Sequence, residues 1–125
     1  DIADVREPPA EIKEMQIRGR SLENGLPRSL DVTTVDITKA LNESVIEIID
    51  VIKETLDLTP PELSGDIMVD GIVLAGGGAL LGGLSDRISE ATQLKVSIAE
   101  EPLLCVIRGC GKALEEINTL RKISI

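Results

Sequence analysis

The residues best suited to chemistry in this sequence are three consecutive glycines, Gly76-Gly77-Gly78, which follow an apolar segment. Glycine has no Cβ, so the backbone can turn sharply there and a bound molecule can approach it closely. A helix that begins next, near Ala79, would offer free N–H groups and a partial positive charge to an anion. The run therefore predicts a contact with a phosphate, ribose or adenine, or else a tight strand-to-helix turn that binds nothing.

Two common nucleotide motifs fit the glycine run incompletely. The P-loop motif fails because no Gly-Lys-Ser/Thr sequence follows. The dinucleotide motif is matched by Gly76 and Gly78, but Leu81 stands where its third glycine belongs. Glu100 or Glu101 lies about where that motif has its ribose-binding acid, roughly 20 residues on. A dinucleotide-binding Rossmann-type half-domain of an oxidoreductase is therefore the alternative, and a plain interaction domain without a ligand is a third.

The cysteines and acidic residues give no metal or catalytic site. Cys105 and Cys110 lie five residues apart in a helix-like stretch, which points them to different faces and argues against a local disulfide. The sequence has no His, so a zinc site would need an uncommon set of acidic ligands. We predict two buried thiols, no metal site and no catalytic residue.

Composition excludes several classes of function. The chain has 125 residues, enough for one compact domain, and its core must be aliphatic because it has no Phe, Tyr or Trp. A net charge of −9 and the lack of stacking aromatics argue against binding nucleic acid. No apolar run approaches the roughly 20 residues that span a bilayer. Because the first residue is Asp1 rather than Met, we expect a fragment or a processed product.

The amino-terminal third predicts a hairpin. Residues 1–14 are charged and contain two prolines, which is typical of a loop or a frayed end. Residues 15–18 and 29–33 read as strands, and residues 21–27 contain the turn signal Asn-Gly between them.

The strongest helical pattern follows the hairpin. Thr33 or Thr34 can cap this helix, and Asp36 lies in the first turn, where the helix dipole favours an anion. Pro60 and Pro61 predict its end, because proline cannot continue the hydrogen-bond ladder. Apolar residues at spacings of three and four form one stripe: Ile37, Leu41, Val45, Ile48, Ile52 and Leu56.

The second half alternates between helices and strands. A short helix to about residue 69 precedes a strand at 72–75 that is apolar on both faces, as in a parallel strand covered by helices on both sides. A helix from Ala79 to about Gln93 and a strand at 95–99 follow. The last helix begins at Pro102 and has these apolar positions: Leu103, Val106, Leu114, Ile117 and Leu120. The pattern predicts an α/β fold with a mostly parallel sheet, flanking helices and an N-terminal β-hairpin.

Several segments resemble one protein family. Residues 72–84, with the sequence IVLAGGGALLGGL, resemble the adenosine motif of the actin-like ATPases, which include actins, sugar kinases and heat-shock chaperones. Other segments are similar to the bacterial cell-shape actins of the MreB family: MQIRGR at 15–20, GLPR at 25–28, TPPEL at 59–63, AEEPL at 99–103 and GCGKAL at 109–114. They run in order through most of the chain, which therefore resembles the carboxy-terminal part of such a protein.

The resemblance implies a place in a larger fold. The chain would be part of an actin-like (ribonuclease H-like) ATPase domain. Residues 1–33 would be a remnant of the upper subdomain, and residues 34–125 the lower α/β subdomain with the adenosine loop. The nucleotide-binding positions that carry over are Gly76, Gly77, Gly78, Ala79 and Leu80.

The resemblance also implies a function. Members of the family bind ATP with Mg²⁺ and polymerise into membrane-associated cytoplasmic filaments that control rod cell shape and wall growth. The implied partners are further copies of the protein and, through regions outside this chain, the membrane-associated cell-wall synthesis machinery. Because the family's two phosphate loops, DLGT and DIGGG, do not occur here, the chain would form one wall of the site and would not hydrolyse ATP alone.

Charged residues elsewhere are predicted to be solvated. Arg18, Arg20 and Arg28 lie near the hairpin, and contact with an acidic neighbour in a filament is the alternative for them. Glu11 and Lys13 faintly resemble an adenine contact of the family, but their spacing to the hairpin is too short, so we interpret them as loop charges.

Overall fold

The computed structural model describes residues 2–117 and Arg121. Its helices and strands are β1 (Glu14–Arg20), β2 (Pro27–Thr33), α1 (Thr34–Asp57), α2 (Pro61–Asp70), β3 (Ile72–Leu74), α3 (Leu84–Thr92), β4 (Val96–Ile98) and α4 (Cys105–Glu115). Short 3-10 turns at Gly77–Leu80 and Pro102–Leu104 precede α3 and α4. Within the described residues, no helix is both long and apolar enough to cross a membrane.

The predicted hairpin is confirmed. Strands β1 and β2 pair antiparallel, with Met15 opposite Val32 and Ile17 opposite Leu30. Because side chains alternate along a strand, these four residues share one face. That face is largely open, since Ile17 is 43% exposed and Leu30 is 55% exposed.

Helix α1 begins with a capping box. The Thr33 hydroxyl accepts a hydrogen bond from the Asp36 N–H at 3.2 Å, and the Asp36 carboxylate accepts one from the Thr33 N–H at 3.0 Å. The two groups satisfy N–H donors that have no partner within the helix. The predicted cap and the predicted proline stop are both present, since α1 ends at Asp57 and α2 begins at Pro61.

The buried stripe of α1 differs from the prediction at one position. Ile48 is 45% exposed, whereas Ile49 is 6% exposed and packs in the core. At 3.6 residues per turn, both positions lie close to the face that carries Val45. In this helix the residue four positions after Val45, Ile49, enters the core, and the residue three positions after it, Ile48, does not.

The core lies between α1, α3 and one face of the parallel pair. Strands β3 and β4 pair in parallel, with Ile72 opposite Val96. The buried apolar residues of the core cluster are Val5, Val45, Ile49, Leu84 and Ile88, and around them pack Leu41, Ile52, Ile72, Leu74, Leu81, Ala91 and Val96.

The opposite face of β3 is open. Val73 is 62% exposed, so the prediction that helices cover this strand on both sides is wrong for this chain. Helices α1 and α3 both pack on the face that carries Ile72 and Leu74. Within the described residues no side chain buries Val73.

The helix that follows the glycines begins later than predicted. The chain first forms the 3-10 turn Gly77–Leu80, and α3 starts only at Leu84. Gly83 interrupts a continuous helix because its φ of +79° lies in the left-handed region. The Gly82 carbonyl also accepts the Val5 N–H at 2.8 Å, which diverts it from helical bonding.

The final helix presents apolar residues to the outside. Of the apolar positions predicted for this helix, Leu103 lies in the preceding 3-10 turn and is 65% exposed, and Val106 and Leu114 on α4 are 74% and 69% exposed. The same prediction for Leu120 lies outside the described residues. The two free cysteines also lie in this part of the chain. Cys105 is half-buried and Cys110 is exposed, so the prediction of two buried thiols is wrong.

The amino-terminal segment is irregular but anchored, not frayed. Val5 is fully buried, and the Asp4 carbonyl accepts the Thr38 hydroxyl at 2.6 Å. Farther along, the Thr34 hydroxyl accepts the Lys13 N–H at 3.0 Å. We call residues 4–13 the N-terminal strap.

Candidate functional site

The glycine loop, residues 76–80, leaves the carboxyl end of β3. Gly76 has a φ of +82°, which suits glycine, and its N–H donates to the Pro102 carbonyl at 2.8 Å. The Ala79 N–H donates to the Gly76 carbonyl at 3.3 Å and closes the 3-10 turn. The loop therefore lies at the edge of a parallel pair where α/β folds bind ligands.

Open space surrounds the three predicted glycines. A Cβ added at Gly76 or Gly78 would meet no atom of the chain within 4 Å, and one at Gly77 would meet only the Leu103 side chain, at 3.5 Å. Within the described residues, packing does not require glycine at positions 77 and 78. The geometry permits another reason for glycine at these positions: another molecule can approach the backbone closely.

The next two glycines serve the fold instead. A Cβ added at Gly82 would lie 2.7 Å from the Ala3 carbonyl oxygen, and one at Gly83 would lie 2.6 Å from Asp4 Oδ1. Both distances are too short for real Cβ contacts. The glycines that look like one motif in the sequence thus form two sets. Gly76–Gly78 are open, whereas the strap packs against Gly82 and Gly83.

The structure brings all five predicted site residues together in this loop. Ala79 is only 3% exposed, so its side chain packs inward, whereas the Leu80 side chain is 55% exposed. Sequence reasoning missed Pro102 and Leu103, which contact Gly76 and Gly77 from the turn after β4. The strand pairing could have pointed to Pro102 and Leu103, because the carboxyl ends of two paired parallel strands meet at the same edge.

The acidic residues near the loop do not form a ligand set. Glu101, a candidate ribose-binding acid, forms an exposed ion pair with Arg108. No carboxylate occurs in residues 76–80. Across the part of the chain that the structure describes, no three Cys, Asp or Glu residues lie close enough together to hold a metal ion. The loop can therefore offer backbone groups and apolar surface, but no Mg²⁺ ligand of its own.

A buried carboxylate lies just beyond the loop. Asp4 is 8% exposed, and it accepts hydrogen bonds from Arg6 Nη2 at 2.7 Å and Nε at 3.0 Å. The Ala10 N–H donates to the same carboxylate at 3.2 Å. The hydrogen bonds from Arg6, which outweigh the effect of burial, lower the pKa of Asp4 to about 2.

Arg87 of α3 fixes the strap from the other side. Its Nη1 donates to the Val5 carbonyl at 2.9 Å, and its Nη2 donates to the Asn42 side-chain oxygen at 3.1 Å. Glu7 lies 3.6 Å from the same guanidinium. We call Asp4, Arg6 and Arg87 the clasp; sequence reasoning missed it because Arg87 lies about 80 residues from the other two in the chain.

The other charged candidates lie on the surface of this chain. Arg18, Arg20 and Arg28 lie on exposed parts of the hairpin, where Arg20 Nε donates to the Gly25 carbonyl at 2.9 Å. Lys13 forms an exposed ion pair with Glu11 at 3.1 Å.

Comparison with known families decides what this arrangement is. The sequence profile of the MreB/Mbl protein family matches residues 2–122. The chain belongs to the MreB/Mbl family. It is 43% identical over 115 residues to the cell shape-determining protein Mbl of Bacillus subtilis (strain 168), which covers 92% of this chain and 34% of that protein. This MreB/Mbl chain therefore spans about a third of the length of the curated relatives it matches.

Solved structures confirm the predicted fold class. MreB5 of Spiroplasma citri bound to ADP superposes with a TM-score of 0.87 and 34% identity, over 97% of this chain and 36% of that one. A non-polymerising mutant of MamK bound to AMPPNP gives a TM-score of 0.63 and 26% identity, over 82% of this chain and 31% of that one. The MreB/Mbl chain is thus part of an actin-like α/β fold, with an antiparallel hairpin and a parallel pair.

Proposed function

We propose that this chain forms one wall of the ATP site of an actin-like protein that polymerises into filaments controlling rod cell shape and cell-wall growth. The observation that carries the proposal is the open glycine loop at the carboxyl end of β3. Two structural relatives are bound to adenine nucleotides, ADP in one and AMPPNP in the other, which supports ATP as the ligand.

The loop suits the adenosine side of a nucleotide. Without side chains at Gly76–Gly78, the backbone can lie against a sugar or phosphate. Leu80 and Leu103 are exposed apolar residues, one within the loop and one in contact with it, and they offer a surface for a base. Mg²⁺ would accompany the nucleotide through ligands outside residues 76–80. Phosphoryl transfer needs such a metal and further positioned groups, so we expect the 125-residue chain alone to lack ATPase activity.

Titration calorimetry of the full-length encoded protein with ATP and Mg²⁺, and separately with NAD, tests the nucleotide proposal. We expect ATP to bind more tightly, because the loop lacks the third glycine of the dinucleotide motif. Tighter binding of NAD would favour the Rossmann-type alternative. No binding of either would favour an interaction domain.

Filament formation requires a separate test. The proposed partners are further copies of the protein and the membrane-associated cell-wall synthesis machinery, and the proposed location is the cytoplasmic side of the membrane. We expect the encoded protein to sediment as polymer with ATP and to remain soluble without it. A protein that stays monomeric under both conditions would contradict the filament proposal.

A further inference from the structure

The N-terminal strap links the hairpin to the carboxyl end of the glycine loop. At one end, Lys13 exchanges hydrogen bonds with Thr34, at 2.9 and 3.0 Å, immediately before β1 begins. At the other end, the Val5 N–H donates to the Gly82 carbonyl at 2.8 Å, two residues after the loop ends. The strap therefore forms hydrogen bonds next to the hairpin and next to the glycine loop.

The contact beside the loop is close and specific. Asp4 and Gly82 form a parallel β-bridge. A Cβ added at Gly83 would lie 2.6 Å from the Arg6 side chain as well as from Asp4. This part of the strap therefore packs in this way only because residues 82 and 83 are glycines.

The clasp fixes the strap in this position. Arg6 connects the buried Asp4 carboxylate to Asp86 of α3, with Nη1 at 3.4 Å from the Asp86 oxygen. Arg87 binds the Val5 carbonyl, and its own N–H donates to the Gly83 carbonyl at 3.0 Å. The side chain and the backbone of Arg87 therefore hold the strap and the glycine pair together.

We propose that the clasp of Asp4, Arg6 and Arg87 positions the glycine loop and thereby sets the loop's affinity for nucleotide. The loop is held at its first residue, Gly76, by the Pro102 carbonyl, and the strap holds Gly82, two residues beyond its last residue. A loop fixed at both ends loses less conformational freedom when a ligand binds, which favours affinity. The effect on nucleotide affinity rests on the proposed function, whereas the effect on loop order does not.

Two measurements on the encoded protein test this inference. Hydrogen exchange reports the order of the amides of residues 77–84, and calorimetry reports the affinity for a non-hydrolysable ATP analogue with Mg²⁺. The variants are Asp4→Asn and Arg87→Ala, with Arg87→Lys as the conservative change that keeps the cation but loses the two-pronged donor. Ile52→Ala is the matched control, because Ile52 packs against the core cluster but takes no part in the hydrogen bonds and ion pairs of the clasp.

We expect Asp4→Asn and Arg87→Ala to speed exchange in the loop about tenfold and to weaken the analogue about tenfold, with Arg87→Lys intermediate. Ile52→Ala should lower the melting temperature without either effect. The inference is overturned if the clasp variants melt lower but keep wild-type exchange and affinity. If a clasp variant does not fold, Arg87→Lys decides between the outcomes. If the wild-type protein binds no adenine nucleotide, the proposed function fails, and exchange in the loop still decides whether the clasp positions it.

Discussion

At Gly83, the backbone conformation and the neighbouring side chains both require glycine. Its φ is +79°, and an added Cβ would lie 2.6 Å from Asp4 Oδ1. We expect Gly83→Ala to lower the free energy of unfolding by about 1–3 kcal/mol, because the residue is strained and the strap must move. Urea denaturation of the encoded protein measures this loss.

Gly78→Ala is the matched control. A Cβ there meets no atom of the chain within 4 Å, and Gly78 is not among the glycines with positive φ. We expect its free energy of unfolding to stay within about 1 kcal/mol of wild type, while the affinity for ATP falls. Equal destabilisation by the two substitutions would contradict the division of the glycines into an open set and a packed set.

Asp4 predicts a pH dependence of stability. Its pKa is lowered from 3.8 to about 2 in the folded chain, chiefly by hydrogen bonds from Arg6. The ionised carboxylate therefore stabilises the fold above about pH 4, by at most about 2 kcal/mol, and this contribution is lost as the pH falls towards 2. Urea unfolding of wild type and Asp4→Asn between pH 6 and pH 2.5 should give curves that converge at low pH. A difference that stays constant across this range would exclude ionisation of Asp4 as its source.

At the scale of the elements, α1 offers two adjacent isoleucines in opposite environments. Ile49 is 6% exposed and Ile48 is 45% exposed. Ile49→Ala should cost about 2–4 kcal/mol of unfolding free energy, because it leaves a cavity in the core, whereas Ile48→Ala should cost less than about 1 kcal/mol. Thermal and urea denaturation of the two variants give the comparison. A larger loss at Ile48 would mean that another part of the protein covers this face.

The elements that the sequence predicts best are those specified by neighbouring residues. The helix cap predicted at Thr33 or Thr34, the stop at Pro60 and Pro61 and the hairpin turn all depend on residues within a few positions, so a single stretch of sequence is sufficient to find them. The strand–glycine loop–helix order of the site was predicted in the same way. The five predicted site residues do lie in one loop, although their binding of a nucleotide stays a prediction.

The features that the sequence did not predict depend on contacts between distant segments. Whether Ile48 or Ile49 enters the core is set by the rotation of α1 against α3, which periodicity alone does not resolve. The late start of α3 reflects the left-handed φ of Gly83 together with the hydrogen bond from Val5 of the strap to the Gly82 carbonyl. Leu103 approaches Gly77 only because β3 and β4 pair.

At the scale of the whole molecule, apolar surface remains open. Val73 on the sheet is 62% exposed, and Val106 on α4 is 74% exposed. The chain spans about a third of its curated relatives, and exposed apolar surface favours association. We expect the 125-residue chain to show concentration-dependent self-association in analytical ultracentrifugation, and Val106→Glu to reduce it. A chain that stays monomeric at about 100 μM would contradict this expectation.

We expect an adenine nucleotide to lie against the glycine loop at Gly76–Leu80. The most direct test is a crystal structure of the encoded protein with a non-hydrolysable ATP analogue and Mg²⁺. We predict density for the adenosine part of the nucleotide in contact with the backbone of Gly76–Gly78 and near Leu103. Nucleotide bound elsewhere, with this loop free of contact, would contradict the account.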